Sequence, residues 1–373
     1  SYMDTITLNP LLPFLKIDCG EMSVALPTEV AGKPQVRLRF IFASDTHFWM
    51  LDNIRIAYAY DYDLELNTTF FNVAPDFSVP SSQVRPIDMY AMLRNAGNLP
   101  IGNATAHVEV RNSENLKVFQ DSVEVGQLLP SLDWTEISFP NQFLPEDKTD
   151  SFLVYYYLTS TEIDQYPLNN HAEWRYHVTE SVFAKNEFCA ESIRYFFPSE
   201  SVDYEIGNCF FIPKGSKLKA VSLSFAFDRE DDLGDEQAQL STRFYRWSNG
   251  DNHGDVNNDT LANPGEFELI GFNIYDVSGD ENNVPVTVPI SYQDEEGIIL
   301  EDDTYYFVTV GYLDPVYDNN GNAIRFPIAG SEEINYTAMF YNSYFGENPA
   351  FVSMLREGDE TDFRANPWTL RRI

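Results

Sequence analysis

The residues best placed to do chemistry lie in an acidic loop at residues 255–266. Their oxygen atoms follow the spacing of an EF-hand calcium loop, in which side chains and one backbone carbonyl surround the ion. The candidate ligands are Asp255, Asn257, Asp259, Leu261 through its carbonyl, Asn263 through water, and Glu266 as a bidentate carboxylate. Thr260 stands where such loops carry glycine, and no flanking helices are predicted. Calcium binding and a solvated acidic turn are therefore the two interpretations.

Aromatic side chains supply a second candidate site. Tyr245, Trp247 and Trp49 could stack on sugar rings, since exposed aromatic rings beside acidic or amide groups are a common glycan platform. The alternative places Trp49 in a sandwich core and Trp247 over the base of a loop, because large aromatic side chains dominate protein cores. The sequence leaves both interpretations open.

Three cysteines allow one disulfide. A bridge between Cys189 and Cys209 would close a loop of about 21 residues and stabilise the fold by roughly 3 kcal/mol. Neither the spacing nor the number of cysteines identifies such a bridge. Three buried thiols, with Cys19 as the third, are the alternative.

Catalytic motifs are missing from the sequence. It holds no Gly-x-Ser-x-Gly elbow, no Walker loop and no Gly-x-Gly-x-x-Gly turn. The five histidines show neither His-x-x-x-His nor His-Glu-x-x-His spacing, so no zinc site is predicted. With 58 Asp and Glu residues, some two carboxylates must lie at the separation found in glycosidase active sites. Such a pair therefore does not indicate a catalytic site. We therefore expect a protein that is not an enzyme.

The charge excludes one class of partner. Among 373 residues, 24 Lys and Arg stand against 58 Asp and Glu, which gives a net charge of −34. A polyanion of this density repels phosphate backbones, so no nucleic-acid partner is expected. No apolar run is long enough for a membrane span, so no membrane insertion is expected. Ser1 is not an initiator Met and no signal peptide is visible, which predicts a processed or partial product.

Strand patterns run through the whole chain. Residues 36–42, 106–110 and 154–158 are rich in β-branched and aromatic residues, and several runs alternate with period two. The prolines and glycines fall mostly between the runs, as in turns. The predicted fold class is all-β, with tandem β-sandwich modules of immunoglobulin-like and jelly-roll-like type. The predicted units are closing strands of an incomplete jelly-roll-like domain at 1–58, an immunoglobulin-like sandwich at 59–180, and a jelly-roll-like sandwich with long acidic loops at 181–373.

Two sets of segments carry a family resemblance. Residues 32–40 and 49–56 resemble the closing strands of MAM-like and carbohydrate-binding jelly rolls, which end in an aromatic residue and Asp-Asp/Asn-Ile-x-Ile. Residues 62–64, 93–98 and 164–170 resemble a CARDB-type immunoglobulin-like module. This order of modules is similar to surface proteins exported by the bacterial type IX secretion route. The resemblance implies an extracellular or cell-surface location rather than an activity.

These observations predict a non-catalytic, secreted or cell-surface protein for adhesion or surface assembly. The expected partners are a glycan or a surface protein, or other subunits of a surface complex, bound by the long loops of the third unit with calcium as the candidate cofactor. The alternative is an accessory binding or spacer region of a larger secreted peptidase or glycosidase.

Overall fold

The computed structural model describes most of two β-sandwiches. The described residues are 30, 33–40, 54, 56, 60–67, 76–131, 134–185, 193–196, 203–228, 237–247, 261–278, 281, 284–292, 295–318, 320–331, 353–365 and 369–370. Short 3₁₀ helices lie at Ser81–Gln83, Pro167–Asn169, Gly215–Lys217 and Pro264–Glu266. In this part of the chain, no helix has the length and apolarity to cross a membrane. The predicted all-β fold of tandem sandwiches is confirmed.

The first sandwich contains eight strands. They are β1 (Leu64–Leu66), β2 (Ser78–Pro80), β3 (Tyr90–Asn95), β4 (Ile101–Arg111), β5 (Lys117–Leu128), β6 (Thr135–Ser138), β7 (Asp150–Thr159) and β8 (His171–Thr179). One sheet has the order β1-β3-β6, and the other has the order β2-β8-β7-β4-β5. The short strand β2 runs parallel to β8, whereas the other pairs are antiparallel.

Alternating side chains build the core of the first sandwich. In β7, Val154 and Tyr156 point into the core, while Tyr155 and Tyr157 face outward. This is the period of two that a half-buried strand requires. Leu93 of β3 meets these residues from the opposite sheet within the same buried cluster. The outer face of the five-stranded sheet is therefore free to carry polar and aromatic groups.

The second sandwich is built on a seven-stranded sheet with the order β14-β23-β22-β10-β20-β13-β15. Smaller sheets pair β12 with β16, β11 with β19, β17 with β18, and β9 and β24 with β21. The strands are β9 (Ile193–Phe196), β10 (Tyr204–Ile212), β11 (Lys219–Ala220), β12 (Ser222–Phe225), β13 (Gln239–Trp247), β14 (Leu261–Ala262), β15 (Phe267–Asp276), β16 (Val286–Pro289), β17 (Ser291–Tyr292), β18 (Glu295–Glu296), β19 (Ile298–Ile299), β20 (Thr304–Tyr312), β21 (Ile328–Ser331), β22 (Ser353–Glu357), β23 (Phe363–Ala365) and β24 (Thr369–Leu370).

Both faces of the seven-stranded sheet are covered along its central strands. Tyr204 and Val308 belong to a large core on one face, whereas Cys209 and Phe307 belong to a smaller aromatic cluster on the other. Strands buried on both sides read as near-continuous apolar runs rather than as alternating ones. Strand β20 fits this rule: its sequence is a nearly continuous apolar and aromatic run, and most of its side chains are buried.

The two sandwiches are joined by direct contacts. The Gln83 side chain donates a hydrogen bond to the Lys214 carbonyl at 2.9 Å and accepts one from the Lys214 amide at 3.0 Å. Lys185, which forms a buried ion pair with Asp76 at 2.8 Å, lies over the ring of Phe210 in β10, 4.8 Å from its centroid. The ring of Phe183 packs against both cores. These contacts fix the two sandwiches to each other. The predicted boundaries at 58/59 and 180/181 stay predictions.

Replacing Gln83 with alanine is expected to lower the free energy of unfolding by roughly 1–3 kcal/mol, because it removes two hydrogen bonds to the Lys214 backbone, each worth about 0.5–1.5 kcal/mol. Gln83 is 2% exposed, so water does not readily replace its side chain. Urea unfolding measures the loss. The matched control is Gln142→Ala, which removes an exposed side chain bonded to Asp88 and is expected to change stability by less than about 0.5 kcal/mol. Equal losses in the two variants would contradict the assigned role of Gln83.

The acidic segment after β15 contains a buried carboxylate with a testable pH dependence. Glu281 accepts hydrogen bonds from the Ser278 amide and hydroxyl, at 2.8 and 2.6 Å, and from the Tyr275 hydroxyl at 2.5 Å. Burial by itself raises the pKa of Glu281, but these hydrogen bonds outweigh it and lower the pKa to about 2. The resulting stabilisation is fully present above pH 4.5, the ordinary pKa of the group, and is lost as the pH falls towards 2.

The variant Glu281→Gln removes this titration. Its free energy of unfolding is expected to fall less steeply between pH 4.5 and 2 than that of the unmodified chain. Glu296→Gln, at an exposed position, serves as the control and should keep the full slope. Parallel slopes for all three proteins in acid denaturation would refute the role of Glu281.

Candidate functional site

The predicted calcium loop is only partly described. Asp255, Asn257 and Asp259 lie outside the described residues, while Leu261 lies in β14. Glu266 is buried, and its two oxygens accept hydrogen bonds from Trp247 Nε1 at 3.0 Å and Asn263 Nδ2 at 3.3 Å. Among the described residues, no three His, Cys, Asp or Glu side chains come close enough to hold a metal ion. The calcium site therefore stays a prediction, and Glu266 has a structural role in supporting Trp247.

The predicted aromatic platform at Tyr245 and Trp247 is wrong. These side chains are 9% and 1% exposed, respectively, and pack with Phe267 in the aromatic cluster of the seven-stranded sheet. Because the seven-stranded sheet is covered on both faces here, the side chains on the second face of β13 are also buried, in the smaller aromatic cluster. Trp49 lies outside the described residues.

Cys209 is a buried free thiol. It lies on β10 directly opposite Phe307 of β20, and burial raises the pKa of its thiol. Cys189 lies outside the described residues. The structure thus favours a buried thiol at Cys209 over the disulfide considered from the sequence.

An open pocket lies on the first sandwich instead. Neighbouring strands of the five-stranded sheet place His107, Tyr157 and His171 directly opposite one another on its outer face. The next row of the same face contains Glu109, Tyr155 and Glu173. Two rows of aromatic and acidic side chains therefore share one solvent-facing surface.

The rings of this surface pack in order. His107 stacks on Tyr157 with 4.5 Å between ring centroids, and Tyr157 stacks on Tyr155 at 5.6 Å. The ring of His171 lies 6.0 Å from that of Tyr155 and is tilted by 40°. Because rings 4.5–5.6 Å apart leave no room for a ligand between them, the stack offers its edges and hydroxyl groups rather than a flat platform.

The pocket itself has a volume of about 300 Å³. The sheet contributes three aromatic side chains to its wall, and the connection from β7 to β8 closes one side with a proline ring and an amide. Its lining residues are Tyr155, Tyr157, Leu158, Pro167, Asn170 and His171. This volume is at the lower end of the range for small-molecule sites and suits one small ring. We call this feature the tyrosine pocket.

The tyrosine pocket and its rim present hydrogen-bonding groups beside apolar side chains. Burial lowers the pKa of His107, whose Nε2 lies 2.9 Å from the Thr159 hydroxyl. Burial and, secondarily, the Glu173 carboxylate raise the pKa of Tyr155, so its phenol stays protonated. Asn170 Oδ1 is buried and accepts no hydrogen bond from the described residues. The pocket therefore combines hydrogen-bond donors and acceptors with apolar ring edges.

The sequence contains one signal for this pocket. The alternation in residues 154–158 places Tyr155 and Tyr157 on one face of a strand. The sequence does not give the register that aligns β7 with β4 and β8. Nothing in it therefore indicates that His107 and His171 lie beside these tyrosines.

A second polar centre lies on the seven-stranded sheet. The carboxylate of Glu205 is fully buried. Its Oε1 accepts hydrogen bonds from the hydroxyls of Tyr245 and Thr309, at 2.9 and 2.6 Å. Its Oε2 accepts hydrogen bonds from Arg243 and Arg356, at 2.8 and 2.6 Å. Nothing in the sequence marks Glu205, because its partners lie far away along the chain.

Comparisons with known proteins give structural neighbours only. No protein-family model and no curated protein sequence matches the chain. The chain is similar over 36% of its length to the whole of a CARDB domain from Pyrococcus furiosus, crystallised with di-metal ions, at 15% identity and a TM-score of 0.23. It is similar over 73% of its length to 98% of an N-terminal CBM22 tandem domain from Paenibacillus barcinonensis, at 9% identity and a TM-score of 0.21. Both neighbours are β-sandwich proteins, and at these scores they identify no activity.

Proposed function

We propose that this chain is a non-catalytic carbohydrate-binding protein of the cell surface or of secreted material, and that the tyrosine pocket holds a neutral sugar. The observation that supports the proposal is the pocket of about 300 Å³ lined by Tyr155, Tyr157 and His171. A sugar ring presents apolar C–H faces and many hydroxyls. The pocket offers ring edges with Leu158 and Pro167 for the first, and phenol, imidazole and amide groups for the second.

Rigidity and charge favour such a ligand. Tyr155 and Tyr157 stand in the middle of a paired strand, so binding orders few side-chain rotamers. The neighbouring Glu173 carboxylate disfavours an anionic ligand at this position and can accept hydrogen bonds from hydroxyls, whereas Glu109 is already in ion pairs with Arg111 and Lys117. A neutral sugar fits both conditions.

Adhesion and surface assembly follow from this proposal as biological roles. Two sandwiches held together through Gln83 and Phe183 would present the pocket on a rigid support. Secretion by the type IX route rests on the sequence resemblance alone and is part of the proposal.

A glycan array tests the proposed function. The full chain is applied in calcium and again in EDTA, and neutral oligosaccharides are expected to bind in both buffers, because the tyrosine pocket uses no ion. Binding that disappears in EDTA would move the sugar site to the calcium loop at 255–266. Silence in both buffers would overturn carbohydrate binding and leave a spacer or scaffold.

A further inference from the structure

The seven-stranded sheet carries an exposed apolar stripe beside a charged group. Leu269, Phe272 and Ile274 on strand β15 are each about 40% exposed, unlike the buried residues of the central strands. Strand β15 is at the end of the sheet, so this stripe borders solvent. Phe272 lies directly opposite Arg243 of β13.

Arg243 is held in place from behind. Its Nη1 donates to the buried Glu205 carboxylate at 2.8 Å, and its guanidinium carbon lies 6.0 Å from the ring centroid of Phe272. Its Nε and Nη2 donate to no other described residue, and the side chain is 20% exposed. The free edge of the guanidinium therefore reaches solvent next to the exposed ring.

The local charge is positive although the chain is strongly negative. Two guanidinium groups, from Arg243 and Arg356, share the single carboxylate of Glu205. This leaves one unit of positive charge at the centre, in a chain of net charge −34. Because charges are screened over about 8 Å at physiological salt, a small anion at Arg243 responds mainly to this local excess.

We propose that Arg243 and Phe272 form a binding site for a uronic acid, with the sugar ring on Phe272 and the carboxylate on the free edge of Arg243. A guanidinium offers a carboxylate two parallel N–H groups, which gives both strength and orientation. The Phe272 ring supplies apolar surface on which a sugar ring can pack. A carboxylate without a sugar ring would gain nothing from this surface. The site is separate from the tyrosine pocket and has the opposite preference for charge.

Calorimetric titration of the full chain tests this site in 150 mM salt. The probes are trigalacturonic acid, its neutral counterpart galactotriose, and a pentaglutamate peptide. Trigalacturonic acid is expected to bind at least roughly tenfold more tightly than either of the other probes. Tighter binding of the peptide would mean that the site binds an acidic protein segment instead of a uronic acid. Equal binding of galactotriose would mean that Arg243 does not contact the ligand's carboxylate. Either result overturns the proposal, as does a lack of binding to trigalacturonic acid.

Variants locate the site. Phe272→Ala changes an exposed side chain and leaves the Glu205 hydrogen bonds intact, and it is expected to weaken trigalacturonic acid binding by roughly tenfold. Arg243→Lys keeps a charge for Glu205 but loses the two-pronged geometry, with a similar expected loss. Tyr317→Ala removes an exposed ring elsewhere on the second sandwich and should have no effect. Unchanged affinity in Phe272→Ala contradicts the proposal.

His171→Ala separates this proposal from the proposed function. It alters the tyrosine pocket and should leave the binding of trigalacturonic acid unchanged. A loss of that binding would place the acidic sugar in the first sandwich and overturn the role of Arg243 and Phe272.

Discussion

Replacing Glu205 with alanine is expected to lower the free energy of unfolding by roughly 3–5 kcal/mol, the largest loss of stability that the structure predicts. Glu205 is 0% exposed. Its removal leaves two hydroxyls and two guanidinium groups, whose side chains are 20% and 25% exposed, without their shared acceptor. The loss exceeds that of an ordinary hydrogen bond because four donors, two of them charged and mostly buried, lose one acceptor together.

The position of the partners explains why this residue matters to the whole sheet. Glu205 lies on β10, and its partners lie on β13, β20 and β22. These four strands are neighbours in the seven-stranded sheet. The Glu205 carboxylate thus forms hydrogen bonds to three neighbouring strands, including β13, which carries Arg243.

Two further variants control the experiment. Glu205→Gln keeps the shape and one acceptor oxygen, so it is expected to cost less than alanine. Glu295→Ala removes a carboxylate at an exposed position and should change stability by less than about 0.5 kcal/mol. Urea unfolding monitored by circular dichroism supplies the comparison. A loss of under about 1 kcal/mol for Glu205→Ala would show that the buried cluster does not stabilise the sheet.

The second large effect concerns ligand binding by the tyrosine pocket. Tyr155→Ala and His171→Ala are each expected to weaken binding of a neutral oligosaccharide selected on the array by roughly tenfold. The double variant is expected to bind too weakly to measure. Each substitution removes one wall of the pocket, and Tyr155 also supports the stacked ring of Tyr157.

Tyr292→Ala is the matched control, since its ring is 44% exposed but belongs to the second sandwich. Its affinity for the same oligosaccharide should equal that of the unmodified chain. Thermal melting confirms that the variants are folded. Equal losses in Tyr155→Ala and Tyr292→Ala would show that the sugar contacts aromatic groups without regard to the pocket.

The sequence predicted the fold class because strand formation is visible in local periodicity. Residues 154–158 alternate, and the structure buries Val154 and Tyr156 while Tyr155 and Tyr157 face outward and are half-buried. The same reasoning holds for the second sandwich, whose strands β10, β13 and β20 form the centre of its seven-stranded sheet.

Site prediction failed where burial depends on distant parts of the chain. Tyr245 and Trp247 sit in a strand whose pattern is compatible with exposure, but Phe363 covers them from more than 100 residues away. The Glu205 cluster has the same origin, since its Arg356 partner is 151 positions away along the chain. Local patterns do not report such contacts, because register and sheet order are set by the whole fold.

Hydrogen–deuterium exchange of the full chain, with and without a saturating neutral oligosaccharide from the array, tests the central claim most directly. The ligand is expected to slow amide exchange in peptides covering the connection between β7 and β8 and the start of β8, which contain Pro167, Asn170 and His171. Peptides of the second sandwich should be unchanged. Protection confined to the second sandwich, or protection nowhere in the first, would contradict the assignment of the tyrosine pocket as the sugar site.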